Sequence, residues 1–331
     1  MQVLVLSHRD VLAALSPAAC ADAMAAALAE HARGGSFLPL RSVMAAPQAA
    51  GLMGLMPGWR GPQPGSAAAF GLKAVCIIPG NPARGLDAHQ GLVTLFDGET
   101  GSPAAILDAA AVTEIRTAAV TAVATRALAR PQSRVLAILG AGTQGRAHLR
   151  ALTADGQFEQ VRLYSPRPDR ARELAGCGVS QGVPVQVAAS AQEALDGADV
   201  VVTATSSREP VLRRAWLAPG AHVNAVGAST PAARELDTET VAASALFCDS
   251  RESLRNEAGE FALAVREGLI PGEEHVRAEL GEVLAGLAPG RRDETELTVF
   301  RSLGLAIEDL AAAQAAVAAA QAGGLGAEVD L

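Results

Sequence analysis

Five apolar residues run directly into a glycine-rich turn in the stretch Val135-Leu136-Ala137-Ile138-Leu139-Gly140-Ala141-Gly142-Thr143-Gln144-Gly145. The apolar run predicts a buried strand, and the residues through about Thr153 have the pattern of a helix. The glycines let the backbone approach a pyrophosphate at the positive end of that helix. An incidental glycine turn is the alternative. Because the turn lies between a strand and a helix, it predicts a nicotinamide dinucleotide site built on Gly140, Gly142, Thr143, Gln144 and Gly145.

Strand-like and helix-like segments continue to alternate after this turn. A helix is predicted from about Pro168 to Ala175, where the proline and Asp169 mark its start. Continuous apolar strands separated by helices are typical of a parallel sheet covered on both faces, so we expect a Rossmann-type doubly wound α/β domain. Its further strands are predicted at residues 160–164, 185–188, 199–204, 222–226 and 245–248.

The chain before about residue 130 has a different pattern, in which glycine and proline turns separate short β-rich segments. A helix is predicted at residues 17–32 and strands at 70–78 and 91–96, and the sequence Asp97-Gly98-Glu99-Thr100-Gly101 is typical of a hairpin. After residue 297, a strand-like segment precedes a long alanine-rich helix through about Gln321, which could return to the first domain. We therefore expect a mixed α+β domain ahead of the nucleotide domain.

Composition excludes several classes of partner. The chain has 331 residues, half of them apolar, and a net charge of −8 without a basic cluster, so we expect no binding to nucleic acid or to an anionic membrane. No apolar run is long enough to span a membrane, and the amino terminus lacks a signal-peptide pattern. The four cysteines are far apart and predict buried thiols rather than a metal site. The expected protein is soluble and cytoplasmic, with a small-molecule partner.

Three cationic residues stand in apolar surroundings: Arg41, Lys73 and Arg116. Lys73 is the only lysine among 27 basic residues, which indicates either a chemical need for an ammonium or a chance survivor of an arginine-rich composition. Burying such charges is costly unless an anion accompanies them, and three together would form a pocket for a carboxylate. Taken singly, each is more often a surface residue or half of a salt bridge, and the sequence by itself favours that interpretation.

The end of the second predicted strand bears on the choice of cofactor. An acidic residue there would accept hydrogen bonds from the adenosine 2′-hydroxyl and repel a 2′-phosphate. This chain has Tyr164-Ser165-Pro166-Arg167, with a guanidinium and no carboxylate, so NADP(H) is favoured over NAD(H). The alternative for Arg167 is an ordinary solvated arginine at a helix start.

Five motifs follow one another in an order that is specific in combination: Phe70-Gly71-Leu72-Lys73, Glu114-Ile115-Arg116-Thr117-Ala118-Ala119, Leu139-Gly140-Ala141-Gly142-Thr143-Gln144-Gly145, Asn224-Ala225-Val226-Gly227-Ala228-Ser229 and Thr298-Val299-Phe300-Arg301-Ser302-Leu303-Gly304. With these motifs the chain resembles the ornithine cyclodeaminase and mu-crystallin family over nearly its whole length.

The resemblance implies a homodimer of two-domain subunits. Residues 1–117 and 301–331 would form a discontinuous substrate-binding and dimerisation domain, with a Rossmann domain inserted at residues 118–300. It also implies that Arg41, Lys73 and Arg116 face the substrate carboxylate. Beyond the glycine loop, the residues that we assign to the cofactor site are Ser165, Arg167, Thr117, Thr203, Ala204, Val226 and Leu303.

Two departures from the family pattern bear on the reaction. Cyclodeaminases resembling this chain need two carboxylates to handle the substrate amines and water, and the matching positions here are Gly54 and Ser229. Their absence argues against a complete oxidation, cyclisation and deamination of ornithine. The stretch around Ser229, followed by Arg234-Glu235-Leu236-Asp237, is instead similar to mu-crystallin and to bacterial ketimine reductases.

We therefore expect an NADPH-dependent reductase of cyclic ketimines such as Δ1-pyrroline-2-carboxylate and Δ1-piperideine-2-carboxylate, which yields proline or pipecolate. Arg41 and Arg116 would hold the carboxylate, and Lys73 would add to that clamp or supply the imine proton. His89 is a candidate proton carrier, with a structural histidine as the alternative. Ser229 would offer a hydroxyl near substrate or nicotinamide, unless its role is a more distant polar one. The competing functions are an alanine or arginine dehydrogenase, an ornithine cyclodeaminase and a non-catalytic mu-crystallin-like binding protein.

Overall fold

The computed structural model describes residues 2–63, 65–179 and 182–330 of the chain. These divide into two compact units: the first comprises Met1–Arg116 with Gly304–Leu331, and the second comprises Thr117–Leu303. The helix α3, Ala109–Leu128, contains the point at which the chain passes from one unit to the other.

The first unit is built on a mixed sheet. Its helices are α1 (His8–Ala14), α2 (Pro17–Ala32) and α11 (Ala306–Gly323). Its strands are β1 (Gln2–Leu6), β2 (Ser36–Phe37), β3 (Ser42–Met44), β4 (Leu52–Arg60), β5 (Ala69–Ile77), β6 (His89–Asp97), β7 (Pro103–Asp108) and β16 (Ala327–Asp330). The strand order is β16-β1-β7-β6-β5-β4-β2, with β3 beside β4, and only β1 and β7 pair in parallel among these described strands.

One face of this sheet is covered by α11, which contacts β4, β5, β6 and α2. The approach of helix and sheet depends on Gly71 of β5, because a Cβ there would lie 2.1 Å from Cδ1 of Leu310. Alternate residues of β5, including Ala69 and Lys73, are buried on the same face. The alanine content of α11 suits this close contact, and the helix ends at Gly324 in the left-handed conformation.

The second unit is a parallel sheet with apolar side chains on both faces. The strand order is that of a doubly wound fold, β10-β9-β8-β11-β12-β15-β13-β14, and every described pairing is parallel. The strands are β8 (Val135–Leu139), β9 (Gln160–Tyr164), β10 (Val185–Val187), β11 (Val200–Thr203), β12 (His222–Ala225), β13 (Ala245–Cys248), β14 (Val276–Glu279) and β15 (Thr298–Arg301). The helices are α4 (Thr143–Thr153), α5 (Pro168–Val179), α6 (Ala191–Leu195), α7 (Thr238–Ala242), α8 (Arg251–Glu257), α9 (Gly259–Arg266) and α10 (Leu280–Leu284).

The two sheets confirm the predicted fold class, a Rossmann-type parallel sheet together with a mixed α+β part. Among the described residues, no single helix is long and apolar enough to cross a membrane; α1 and α2 meet that requirement only as a pair, which is bent by 84°. The cysteine prediction was half right, because Cys20 and Cys248 are buried whereas Cys76 and Cys177 are only partly so.

Candidate active site

The first unit gathers the cations that the sequence singled out. Lys73 on β5 and Arg116 on α3 both contact Asp309 of α11: Nζ of Lys73 lies 2.7 Å from Oδ2, and Nε of Arg116 donates to Oδ1 at 3.0 Å. The side chains of Lys73, Arg116 and Asp309 are 5%, 6% and 2% exposed, respectively. A single buried carboxylate therefore contacts two buried cations. We call this group of Lys73, Arg116 and Asp309 the Asp309 bridge.

Neighbouring groups complete this cluster. The adjacent carboxylate Glu308 accepts a hydrogen bond from Nη1 of Arg116 at 2.7 Å and is fully buried. Lys73 also donates to the hydroxyl of Thr113 at 3.4 Å. The third predicted cation, Arg41, donates through Nη2 to the carbonyl oxygen of Gly304 at 2.7 Å and lies close enough to act electrostatically on Lys73 and Asp309.

Gly304 has a special backbone position between the two arginines. Its φ is +81°, a conformation that side chains other than glycine rarely adopt, and a Cβ there would lie 2.6 Å from Nη1 of Arg116. The glycine that ends the motif Thr298–Gly304 thus leaves room for Arg116, while its carbonyl accepts a hydrogen bond from Arg41.

The protonation of Lys73 reflects opposing influences. Burial lowers its pKa, Asp309 raises it, and Arg116 and Arg41 lower it further, which brings the pKa to about 8. For Asp309, burial alone would raise the pKa, but Arg116, Lys73 and Arg41 together lower it below its usual value. The carboxylate is thus ionised at neutral pH, whereas the ammonium can release a proton close to neutrality.

Two further predicted residues of the substrate site, His89 and Ser229, are not part of the Asp309 bridge. His89, at the start of β6, is on the same face of the sheet as Lys73 by register and is an exposed residue. Partial desolvation lowers the pKa of His89, Asp87 opposes this, and the charge of Lys73 lowers it further. Ser229 belongs to the second unit, where it is exposed in the loop after β12. The structure therefore groups Arg41, Lys73 and Arg116, with His89 within electrostatic range of Lys73.

Gly54, at the position that matches the first cyclodeaminase carboxylate, lies on the same sheet and has no side chain. It pairs with Val75 of β5, two residues along from the pairing of Met56 with Lys73, and a Cβ there would be 3.6 Å from Cγ1 of Val75. A Cβ at this position would therefore make only ordinary contacts, so crowding at the first side-chain atom does not require a glycine here.

The glycine loop of the second unit has the geometry expected of a dinucleotide site. Gly140 has a φ of +117°, and a Cβ there would lie 2.3 Å from the carbonyl oxygen of Ala204, just beyond β11. A Cβ on Gly145 would lie 2.1 Å from the carbonyl oxygen of Gly140, whereas one on Gly142 would point into open space. Gly142 is the N-cap of α4 and provides no side-chain cap, so Thr143 and Gln144 begin a helix whose first amides can face a phosphate.

The carboxyl ends of the next strands complete this edge of the sheet. Thr203 ends β11 and Ala204 follows it, and the amide of Val226, after β12, donates to the carbonyl of Thr203 at 2.9 Å. Leu303 follows β15, and its amide donates to Asp249 at 2.6 Å. Thr117, which was also predicted from the sequence to belong to the cofactor site, does not follow a strand but is a buried residue of α3.

At the end of β9, the hydroxyl of Ser165 accepts a hydrogen bond from the amide of Arg167 at 3.3 Å. The nearby carboxylate of Asp169 pairs with Arg172 at 2.5 Å. Arg167 is exposed, and among the described residues no carboxylate forms an ion pair with it. Its guanidinium is thus available to an anionic ligand.

Sequence reasoning missed several buried carboxylates, Glu308, Asp309 and Glu235. Glu235 is fully buried beneath the carboxyl ends of β11 and β12 and accepts hydrogen bonds from Thr203 and Thr205. The available signal for Glu308 and Asp309 was their position as adjacent acids in an otherwise apolar helix, complementary to three cations in apolar surroundings.

The fold and these two sites are those of a nicotinamide-dependent oxidoreductase, and the chain belongs to the ornithine cyclodeaminase/mu-crystallin family, whose profile matches residues 1–323. It is 39% identical to mouse (Mus musculus) ketimine reductase mu-crystallin over 292 residues, which cover 87% of this chain and 88% of the relative. The predicted family is thereby confirmed.

Two solved structures are similar over essentially their whole length. A Δ1-pyrroline-2-carboxylate reductase from Thermococcus litoralis, in complex with NADH and L-proline, has a TM-score of 0.93 and 35% identity, covering 99% of this chain and 100% of that one. An archaeal alanine dehydrogenase dimer with bound NAD has a TM-score of 0.93 and 34% identity, covering all of both chains. These relatives confirm the prediction of an enzyme of the C=N-reducing oxidoreductase class.

Proposed function

We propose that the protein reduces cyclic ketimines that carry one carboxylate, Δ1-pyrroline-2-carboxylate or Δ1-piperideine-2-carboxylate, to proline or pipecolate, with NADPH as the preferred reductant. The observation that carries this proposal is the Asp309 bridge together with Arg41, which places an ammonium with a pKa of about 8 near two guanidinium groups. Such a set suits a substrate that has both an anionic carboxylate and a nitrogen in need of a proton.

Arg41 and Arg116 would bind the substrate carboxylate. Guanidinium groups donate planar pairs of hydrogen bonds that match a carboxylate, and each arginine is already held by a protein oxygen. Because these contacts orient the guanidinium groups beforehand, little freedom is lost when the substrate binds.

Lys73 would supply the proton that the reduction consumes. Reduction of the imine adds a hydride to carbon and a proton to nitrogen; when bound, the dinucleotide supplies the hydride. With a pKa of about 8, Lys73 is mostly protonated at neutral pH and can still release the proton readily. After Lys73 has given up its proton, Asp309 still pairs with Arg116. For a substrate that arrives as the iminium, Lys73 would act only in the carboxylate clamp.

The preference for NADPH rests on Arg167. Its exposed guanidinium at the end of β9 follows Ser165, and the one acidic residue close by in sequence, Asp169, is paired with Arg172. A 2′-phosphate would meet positive charge there and no carboxylate in the turn itself. The two similar solved structures hold NADH and NAD, so a preference for NADPH would distinguish this chain from them.

The decisive experiment follows NADPH and NADH absorbance with purified protein and each cyclic ketimine, with pyruvate plus ammonia, and with ornithine and oxidised cofactor. We expect oxidation with the ketimines and a lower Michaelis constant for NADPH. Turnover of pyruvate and ammonia alone would favour the alanine dehydrogenase alternative, to which the similarity of the archaeal enzyme lends support. Measurable NADPH binding without turnover of any substrate would refute the enzymatic proposal and favour a binding protein.

We also propose that the protein is a homodimer, joined through the face of the mixed sheet opposite α11. That face is apolar and lacks a covering helix among the described residues, and Phe70 and Leu92 on it are 49% and 51% exposed. A second copy is the expected occupant because the archaeal alanine dehydrogenase of the same fold is a dimer. The side chains of this face on β4, β5 and β6 include Leu55, Pro57, Trp59, Phe70, Leu72, Ala74, Leu92, Thr94 and Phe96.

Sedimentation of Leu92→Asp tests the dimer. A charge buried without a partner costs about 3–5 kcal/mol, so the dissociation constant should rise by about 100-fold or more. Leu269→Asp, at a site of similar exposure (48%) in the second unit, is the control and should leave association unchanged. A wild-type monomer, or an unaffected Leu92→Asp dimer, would exclude this interface.

A further inference from the structure

Glu235 is a fully buried carboxylate of the second unit that accepts hydrogen bonds from uncharged groups. It accepts hydrogen bonds from the hydroxyl of Thr203 at 2.9 Å, from the amide and hydroxyl of Thr205 at 2.6 and 2.7 Å, and from the amide of Gly227 at 2.6 Å. Among the described residues, no lysine, arginine or histidine forms an ion pair with it. Four donors thus stabilise a charge that would otherwise be costly to bury.

Thr203 is the last residue of β11, and the other three donors belong to two neighbouring loops. Thr205 lies just after β11, and Gly227 lies just after β12, the strand beside it in the sheet. The loops are in close contact, because a Cβ on Gly227 would lie 2.1 Å from the carbonyl oxygen of Thr205 and 2.7 Å from Oε1 of Glu235. Glu235 therefore sits where the two loops meet.

The backbone of Glu235 is fixed as well as its side chain. Its carbonyl oxygen accepts hydrogen bonds from the amides of Val211 and Leu212 at 2.8 and 3.1 Å. The next residue, Leu236, forms a parallel bridge with Leu212. A carboxylate anchored at both ends can hold the loops at a defined separation.

The location of these loops connects Glu235 to the cofactor. In a doubly wound sheet the dinucleotide binds beyond the carboxyl ends of the strands, with one half on each side of the point where strand order reverses. Here the glycine loop after β8 and the turn after β9 serve the adenosine half, which leaves the ends of β11 and β12 for the nicotinamide half. Both loops bonded by Glu235 are on that second side.

We propose that Glu235 is a positioning residue that holds the loops after β11 and β12 in the arrangement that binds the nicotinamide half of the dinucleotide. The proposal rests on the proposed function only in its use of a nicotinamide cofactor. A carboxylate suits this role because it accepts from all four donors and donates to none. An isosteric amide must turn an NH2 group toward at least one of them, which forces the loops apart.

The test is calorimetric binding of NADPH, NADH, 5′-ADP and 2′,5′-ADP to the full-length Glu235→Gln variant. We expect the affinity for both dinucleotides to fall by about tenfold or more, and the affinity for both adenosine ligands to change less than about twofold. Glu239→Gln, an exposed residue of α7, is the matched control and should leave all four affinities unchanged. Equal loss of dinucleotides and adenosine ligands would overturn the proposal, because it would indicate general damage to the fold; unchanged dinucleotide affinity would also overturn it.

A milder variant keeps the test informative if Glu235→Gln does not fold. Thr205→Val preserves shape and removes one of the four donors, the hydroxyl bonded at 2.7 Å. We expect the affinity for both dinucleotides to fall by about threefold to tenfold, and the affinity for the adenosine ligands again to change little. Wild-type protein that binds NADPH but reduces no imine would refute the proposed reaction and leave this prediction standing.

Discussion

Replacing Asp309 with asparagine should move the pH dependence of catalysis, and replacing its neighbour Glu308 with glutamine should not. Both carboxylates are buried on α11 and both contact Arg116. Asp309 also lies 2.7 Å from the ammonium of Lys73. The two variants remove the same charge from adjacent positions, and Glu308→Gln leaves the contact between Lys73 and Asp309 in place.

The size of the effect follows from the distance. Two unit charges 2.7 Å apart attract each other by about 6 kcal/mol at an effective dielectric constant of about 20, which corresponds to about 4 pKa units as an upper limit. Relaxation will reduce this, and we expect the pKa of Lys73 to fall from about 8 by about 1 unit or more. The direction follows from the influences that remain: without Asp309, burial and the two arginines all lower the pKa of Lys73 and act unopposed.

The assay is kcat/KM for a cyclic ketimine between about pH 6 and pH 10, at saturating NADPH. Wild-type activity that needs the Lys73 ammonium should decline as the pH rises through about 8, and in Asp309→Asn the decline should begin at lower pH. The substrate's own titration is common to all variants and drops out of the comparison. Both substitutions should destabilise the fold by a similar amount, about 3–5 kcal/mol. An unmoved profile in Asp309→Asn, or the same shift in Glu308→Gln, would refute the reasoning.

Three further predictions concern single residues. Lys73→Met should lower turnover by about 100-fold or more with nearly unchanged NADPH affinity in fluorescence titration; full turnover would remove Lys73 from the site. Gly304→Ala should raise the ketimine KM by about tenfold, since its Cβ would lie 2.6 Å from Nη1 of Arg116, and should cost about 1–2 kcal/mol in chemical denaturation; a wild-type KM would contradict that placement. Arg167→Ala should raise the KM for NADPH about tenfold more than that for NADH, with Arg170→Ala as the control; equal effects on both cofactors would make Arg167 an ordinary surface residue.

The strands of the second unit could be predicted closely from sequence. The predicted strands at 135–139, 160–164 and 245–248 agree with the observed β8, β9 and β13. β8 and β13 are continuous apolar runs, as expected of parallel strands buried on both faces, whereas β9 alternates, with Val161 and Leu163 buried. Local sequence therefore carries enough information for these elements.

Other elements depend on contacts that local patterns do not reveal. The helix α3 was not predicted: its alanine residues favour a helix, but its valine and threonine residues favour a strand. A usable signal was Asp108, whose carboxylate accepts a hydrogen bond from the amide of Ala111 at 2.7 Å in the manner of a helix cap. The polar strand β16 pairs with β1 across almost the whole length of the chain, which no local pattern indicates.

The cations of the site could be predicted from local sequence, whereas their carboxylate partners could not. Lys73 and Arg116 stand out because each is charged within an apolar segment, whereas Asp309 is separated from Arg116 by 193 positions. No role was assigned from the sequence to Glu308 or Asp309, the two adjacent acids of α11. Because buried cations require an anion, two adjacent acids in an alanine-rich helix are the sequence signal that points to the partners of these cations.

The bridging carboxylate also explains how a lysine can serve this chemistry. A buried lysine with no anion beside it would lose its proton well below neutrality, and one fully compensated by carboxylates would hold its proton too tightly to give it up. In this cluster Asp309 opposes the combined effect of burial, Arg116 and Arg41, and the balance leaves the pKa of Lys73 at about 8. Because Arg116 shares Asp309 with Lys73, any substrate carboxylate that draws Arg116 away from that carboxylate would strengthen the hold of Asp309 on the ammonium. Binding of the substrate would thereby favour the protonated lysine in the complex that needs it.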